Sequence, residues 1–514
     1  MKNLFFLFIF LVLTSCGSIA EYNRRLETEI APEKLRKDIS FAYHKLQKLH
    51  PNLYWYISQD SLDGRFRQLQ DSMTTPLTPA GFYRKAAPTI ASVREGHLRL
   101  IPPSRKYTRK EMRKLKNQKG LFGRMNYVVD SNRIFVKDNA DRFENIRVGT
   151  QIMEIDGIPA EKYLMRYRHY ITGDGYNRTF VKYALAGNWP VYFTMEKGIL
   201  DSVKIKTLLA GEAREFYIHR EKKTQEEKKE EKKTISEIRK SDTGKNKDYN
   251  PIKRAFNRDL QFLDPDSTVA YMKIRTFSGV RSSKFYRESF SKIKKKGTQT
   301  LILDVRDNLG GSLSEIHNLY SYLASGRFRF INDIEINSRF SLLHADYLSE
   351  YPTLLKPVGV ITYPLYSMGM LLSTKKHNGR YYLRNNNIFT IRKPRKNAFC
   401  GKIYLLINGS SFSASSVLAS KLKDAKRAVL VGEETGGAND GTVAGRYSTE
   451  KLPASGLYLP IGLMLVQPDI RFSGTGKGII PDVQILPTLR DILAKKDIQL
   501  QWILNQIPET RQPQ

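Results

Sequence analysis

Cysteine is nearly absent: the 514 residues hold two, Cys16 and Cys400. A metal site built on cysteine is therefore excluded, and no disulfide framework organises the fold. Long apolar runs are just as scarce. Only Leu4 to Leu13 is continuous, and it is too short to span a bilayer comfortably. Acidic side chains are outnumbered, 51 against 85 lysines and arginines. That excess suits attraction to anionic headgroups or envelope polymers, or simply a basic solvated surface. It does not make the chain a nucleic-acid binder, because no Walker loop, zinc-finger spacing or aromatic RNA-binding motif is present.

What is there begins with a leader. Lys2 ahead of Leu4 to Leu13 reads as a signal peptide over residues 1–15. Leu13-Thr14-Ser15-Cys16 resembles a bacterial lipobox, whose cysteine becomes acylated and N-terminal. The expectation is a lipoprotein secreted across the inner membrane, with lipid on Cys16 and a tether over 16–25. Acylation leaves Cys400 as the lone thiol.

A multi-domain α/β organisation follows. Residues 26–104 read as helical, with Leu35, Ile39, Ala42, Tyr43, Leu46 and Leu49 at three- and four-residue spacing. Residues 105–219 read as β-rich, with a hairpin turn at Asp130-Ser131-Asn132. The stretch 146–157 resembles the middle of a PDZ domain, and Gly120-Leu121-Phe122-Gly123 is a loose candidate for its carboxylate loop. Residues 220–250 carry only Ile235, Ile238 and Tyr249 as apolar side chains, so they read as a disordered loop or a frayed solvated helix, within a charged, disordered linker over 220–254. A core of mixed or parallel sheet spans 255–500, and 501–514 is a C-terminal tail. Within the core, Leu301–Val305, Ile403–Ile407 and Ala428–Val431 are apolar strands that each run into a polar, glycine-bearing loop. In an open parallel sheet such loops converge on one crevice.

Ser413 opens a helix within that crevice. Free backbone N–H groups and the positive dipole end lie at such a position, where they can stabilise an oxyanion. The plainer alternative is an N-cap serine. The surrounding motifs favour chemistry. Asp304-Val305-Arg306-Asp307-Asn308-Leu309-Gly310-Gly311, Ser413-Ala414-Ser415-Ser416, Gly432-Glu433-Glu434-Thr435-Gly436-Gly437 and Pro481-Asp482-Val483 after Gly476-Lys477-Gly478 stand in a telling order. Together they resemble the C-terminal-processing (tail-specific) serine peptidases.

That resemblance implies a nucleophile at Ser413 and an oxyanion hole from the amides of Ala414 and of Gly310 or Gly311. Asp304, Arg306 and Asn308 would brace the loop. The Ser/Lys branch carries a lysine where this chain has Ala438, and Lys421, Lys423 and Lys426 read as solvated surface. The tricorn-like branch uses a histidine instead, and Arg94-Glu95-Gly96-His97 fits its motif, which makes His97 the candidate base. Glu434, Asp440 and Glu95 stay open as the acid that orients it. Thr475 stands where many relatives carry an acid, and Ser416 replaces the usual motif glutamate. The resemblance implies no metal or other cofactor, and protein or peptide tails as substrates. The competing reading is an inactive peptide- or lipid-binding lipoprotein on the same fold.

Overall fold

The computed structural model describes residues 18–507, apart from 124, 140–144, 244–247, 251–254, 280–281, 353–354, 385–389, 472–473 and 475. The leader, Cys16, Thr475 and the end of the C-terminal tail lie outside the described residues.

Four helices come first: α1 (Ile19–Glu27), α2 (Pro32–Leu49), α3 (Gln59–Asp71) and α4 (Pro79–Ala91). Helix α1 already occupies most of the expected tether. Ser58 and Thr78 cap α3 and α4 by accepting from the amides of Ser61 and Gly81. Leu35, Ile39, Ala42, Leu46 and Leu49 are the buried stripe of α2.

Next come α5 (Arg109–Lys116), β1 (Met125–Asp130), β2 (Arg133–Asn139), β3 (Gln151–Ile155), β4 (Ile158–Pro159), α6 (Ala160–Tyr167), α7 (Thr179–Lys197), β5 (Ser202–Leu209) and β6 (Glu212–His219). The strands form an antiparallel sheet in the order β1-β2-β3-β5-β6, with β4 beside β3. Ser131 and Asn132 turn the first hairpin at φ 48° and 58°, the left-handed pair whose twist suits a two-residue connection. Trp189 and Phe193 of α7 pack on Phe122, and Trp189 also packs on Tyr127 of β1.

In the charged segment the structure takes the solvated-helix alternative: much of it is α8 (Gln225–Thr243), which corrects the disordered linker. Thr224 and Glu227 exchange backbone-to-side-chain hydrogen bonds of 2.7 and 3.2 Å at its start, a capping box. Ion pairs of 2.9 Å join Lys119 to Glu227 and Lys223 to Glu231. Low apolar content rules out a buried helix, not an exposed one laced by charge pairs.

The remainder comprises β7 (Tyr249–Asn250), β8 (Ala255–Phe256), β9 (Arg258–Phe262), β10 (Val269–Ile274), α9 (Ser282–Lys295), β11 (Thr300–Asp304), α10 (Leu313–Tyr320), β12 (Glu335–Ile336), α11 (Lys356–Leu372), β13 (Thr374–His377), β14 (Arg380–Leu383), β15 (Lys402–Ile407), α12 (Ala414–Asp424), β16 (Val429–Gly432), β17 (Thr442–Lys451), β18 (Tyr458–Val466), β19 (Val483–Gln484), α13 (Leu489–Leu493) and α14 (Ile498–Asn505). One sheet runs β19-β16-β15-β11-β10-β9 and is parallel except for β9. A second, antiparallel sheet runs β13-β14-β12-β18-β17. All of β11 is buried, as expected for a strand covered on both faces. The packed region continues past residue 500, since Ile503 of α14 is buried against Ile302, Tyr404, Leu406 and Val431. Among the described residues, no helix is long and apolar enough to cross a membrane.

Candidate active site

The loops after β11, β15 and β16 meet at the carboxyl edge of the parallel sheet. The amide of Phe412 donates to the Asn308 carbonyl at 3.1 Å, and that of Gly436 to the Ser411 carbonyl at 3.0 Å. Asp304 holds Arg306 through its amide and guanidinium, at 2.9 and 2.7 Å. Asn308 donates to the Ile274 carbonyl at 3.0 Å and accepts from the amide of Gly310 at 2.9 Å. These three side chains brace the loop.

Ser413 joins β15 to α12 at φ 55° and ψ −117°, where an L-residue is strained. Three neighbouring serine hydroxyls are engaged. Ser411 donates to the Val305 carbonyl at 2.9 Å, Ser415 to Asn308 at 2.8 Å and Ser416 to Ser411 at 3.0 Å. Ser416, standing in for the motif glutamate, thus ties the helix to the turn. The Ser413 side chain does not cap its own helix, so it is no ordinary N-cap.

Gly310 has φ 105° and lies against this turn. A Cβ there would sit 2.8 Å from Ser413 Cβ and 2.9 Å from Ala414 N. Because the Gly310 amide is committed to Asn308, the amides of Gly311 and Ala414 are the two of the three without a partner among the described residues.

His97 lies in the loop after α4. Its ring is 5.0 Å from that of Phe412, the residue before Ser413. Gly96 is what permits this approach, because a Cβ on it would collide with the Phe412 ring. His97 Nδ1 meets Thr442 Oγ1 at 3.0 Å and Glu95 Oε1 at 3.3 Å. Glu95 also accepts from the His97 amide at 3.2 Å, so it grips this residue twice. No hydrogen bond joins His97 to Ser413 among the described residues; such contacts are often loose in an empty site.

Two of the three candidate acids are placed elsewhere. Glu434 accepts from the Gly478 amide at 2.7 Å and from Asn177 at 3.1 Å. Asp440 accepts from the amides of Gly474 and Gly476 at 2.6 and 2.7 Å. Both acids hold the glycine-rich loop that leads to Pro481, and neither bonds to His97. Lys421 is likewise corrected. It is buried, not solvated, and its ammonium binds the Asp469 carbonyl and lies 3.7 Å from the Asp469 carboxylate.

Asp174 was missed. It is buried, and it accepts from the amides of Gly96 at 2.7 Å and Ala438 at 3.3 Å. Ala438 therefore contributes its backbone where a lysine had been sought. The available signal was an acid between two glycines, Gly173 and Gly175. Thr442, at the start of β17, gave none. Ligand atoms of Glu95, His97 and Asp174 lie within 4.8 Å of one another, close enough to hold a metal ion. Backbone amides already occupy both oxygens of Asp174.

The electrostatics follow from this crowding. Burial and then the Glu95 charge push Asp174 up to about 7. Burial works to lower the His97 pKa, but the hydrogen bond and charge of Glu95, aided by Asp174, outweigh it and raise it. A base must be neutral to accept a proton, so a raised pKa moves the acid limb of a pH–rate profile upward. Glu95→Gln removes the leading raising influence. The limb of kcat/KM should therefore shift to lower pH, and an unmoved limb would show that Glu95 does not act through His97.

Residues 268–485 match the model of peptidase family S41. The fold is similar to that of mature CPAF complexed with lactacystin, at 16% identity and a TM-score of 0.58, over 92% of this chain and 97% of the other. Mature CPAF in a further crystal structure gives 17% identity and a TM-score of 0.54, over 90% and 95%. At such identity the likeness speaks for the fold. The curated proteins offer no match. The family match supports a serine peptidase and suggests protein or peptide substrates.

Proposed function

We propose that this chain is a serine endopeptidase of the cell envelope that cleaves protein or peptide tails by acyl transfer through Ser413. Ser413 Oγ attacks the scissile carbonyl while His97 takes the hydroxyl proton, and Glu95, helped by Thr442, fixes the imidazole. The oxyanion is received by the amides of Ala414 and Gly311. Collapse expels the amine, which takes the proton from His97, and water then hydrolyses the acyl-enzyme. One observation carries this reading: Ser413 is held strained, with its side chain uncommitted, at a helix N-terminus beside a glycine that nothing larger could replace.

Tail selection is proposed for the PDZ-like unit. Among the described residues β1 pairs with β2 alone, so its other edge can accept an added strand. The cavity beside Gly120–Gly123 is also lined by Arg105 and Arg220, cations suited to a terminal carboxylate. Lipid on Cys16 would hold the enzyme at a membrane surface.

A fluorophosphonate probe tests the chemistry. It should label the purified protein and spare Ser413→Ala, and His97→Ala should slow labelling by roughly a hundredfold or more. An unlabelled parent, correctly folded by circular dichroism, would turn the reading toward an inactive binding protein.

A further inference from the structure

Helix α11 is turned inside out. Its inward face is aromatic and polar: Tyr366 stacks on Tyr347 at 4.2 Å, Thr362 shares a hydrogen bond with the Tyr347 hydroxyl at 3.0 Å, and Tyr363 donates to the Leu343 carbonyl at 2.8 Å. Gly359 lets the helix approach, since a Cβ there would lie 2.9 Å from Leu348. The outward face holds Val358, Ile361, Leu365, Met368 and Leu372, with Ile361 78% and Leu365 69% exposed. Their three- and four-residue spacing makes one continuous stripe. An ordinary surface helix has the reverse arrangement, and a contiguous exposed apolar stripe of this kind marks a contact surface.

The charge around the stripe says what the contact is. Lys356 is the only charged side chain on the helix. From 351 to 400 the chain has nine lysines and arginines and no aspartate or glutamate. Acids from outside the segment, Asp333 and Glu335, pair with Lys375 and Arg380. Lys376 stands four residues past the helix, in β13, and the Arg384 backbone is bonded to the carbonyl of Ser373, the residue that caps the helix, at 2.5 Å.

We propose that this face docks on an anionic lipid bilayer, with α11 lying in the headgroup plane and its stripe toward the acyl chains. A lipid surface supplies apolar depth and negative charge together, and an apolar helix face that starts at Lys356 and is followed by Lys376 in an acid-free segment suits that combination. A second copy fits worse. A two-fold contact would set this acid-poor, basic segment against its own image, in a chain of formal net charge +34. The docking is independent of lipid on Cys16. It would also orient the enzyme, because the Asp346 amide just before this helix bonds to the Tyr447 carbonyl of β17 at 2.8 Å, and Tyr447 lies 6.5 Å from the His97 ring.

The test uses the full chain with Cys16→Ser, Cys400→Ser and Leu365→Cys, labelled with an environment-sensitive fluorophore. Phosphatidylglycerol vesicles should shift its emission to the blue and brighten it several-fold, phosphatidylcholine vesicles far less. The same label at Lys229→Cys, on exposed α8, should stay unchanged; this separates docking by α11 from tethering by the leader. Ile361→Glu with Met368→Glu should lower phosphatidylglycerol binding by about tenfold or more. That variant should leave the circular dichroism spectrum and melting curve intact. No shift on phosphatidylglycerol would overturn the proposal. So would a shift that needs no vesicles and grows with protein concentration, which would assign the stripe to a second copy.

Discussion

Ser413→Gly is expected to abolish peptidase activity while making the protein more stable. The activity side follows from removing the proposed nucleophile of a unit that acts together, a loss on the order of 10⁶ in kcat. The stability side follows from φ 55° and ψ −117°, a conformation that costs a non-glycine residue roughly 1–3 kcal/mol. Glycine occupies it without strain but gives back about 0.5–1 kcal/mol through the freer unfolded chain. Little else is lost, since the Ser413 side chain does not cap α12. The net gain should be about 1 kcal/mol, read as a melting transition raised by about 1–2 °C in a chain of this size. A lowered transition would mean that the turn is not strained, and measurable hydrolysis by Ser413→Gly would place the nucleophile elsewhere.

Such opposed effects mark a place where local preference gives way to chemistry, and sequence patterns follow local preference. The strands 301–304, 403–407 and 429–431 were legible because both faces are covered, which leaves continuous apolar runs. The loops after them were legible because glycine is required there, as Gly310 against Ser413 demonstrates. The antiparallel sheet was harder to see. β12 has two residues, and β13 reads Thr-Lys-Lys-His, with no period-2 apolar pattern to find. For helix α8 the choice between loop and solvated helix stayed open, because composition reports burial, whereas its stability rests on capping and charge pairs. Among the acids, Glu95, Glu434 and Asp440 could not be ranked. All sit in or beside loops of the crevice, and only the folded backbone decides that two of them hold Gly474, Gly476 and Gly478 while Glu95 meets His97. Asp174 lies more than 70 residues from the Gly96 amide it holds, a pairing no spacing rule could propose.

Gly310→Ala is the most severe change expected without touching a reacting side chain. The added Cβ would lie 2.8 Å from Ser413 Cβ, 2.9 Å from Ala414 N and 2.9 Å from Phe412 O. Two of those atoms are backbone, so no side chain can swing aside; the whole turn carrying the nucleophile has to move. The φ of 105° adds strain of roughly 1–3 kcal/mol. Displacing the Ala414 amide alone should cost about 10²–10³ in kcat, the usual effect of losing one oxyanion donor. Gly297→Ala supplies the comparison. It too has a positive φ, 66°, but a Cβ there meets nothing within 4 Å. Gly297→Ala should therefore lose stability from the backbone alone and keep its turnover. Gly310→Ala should lose more stability and nearly all turnover, with fluorophosphonate labelling slowed in parallel. Equal losses in the two variants, with turnover retained in both, would show that the Ser413 turn yields easily and that Gly310 is not needed to shape it.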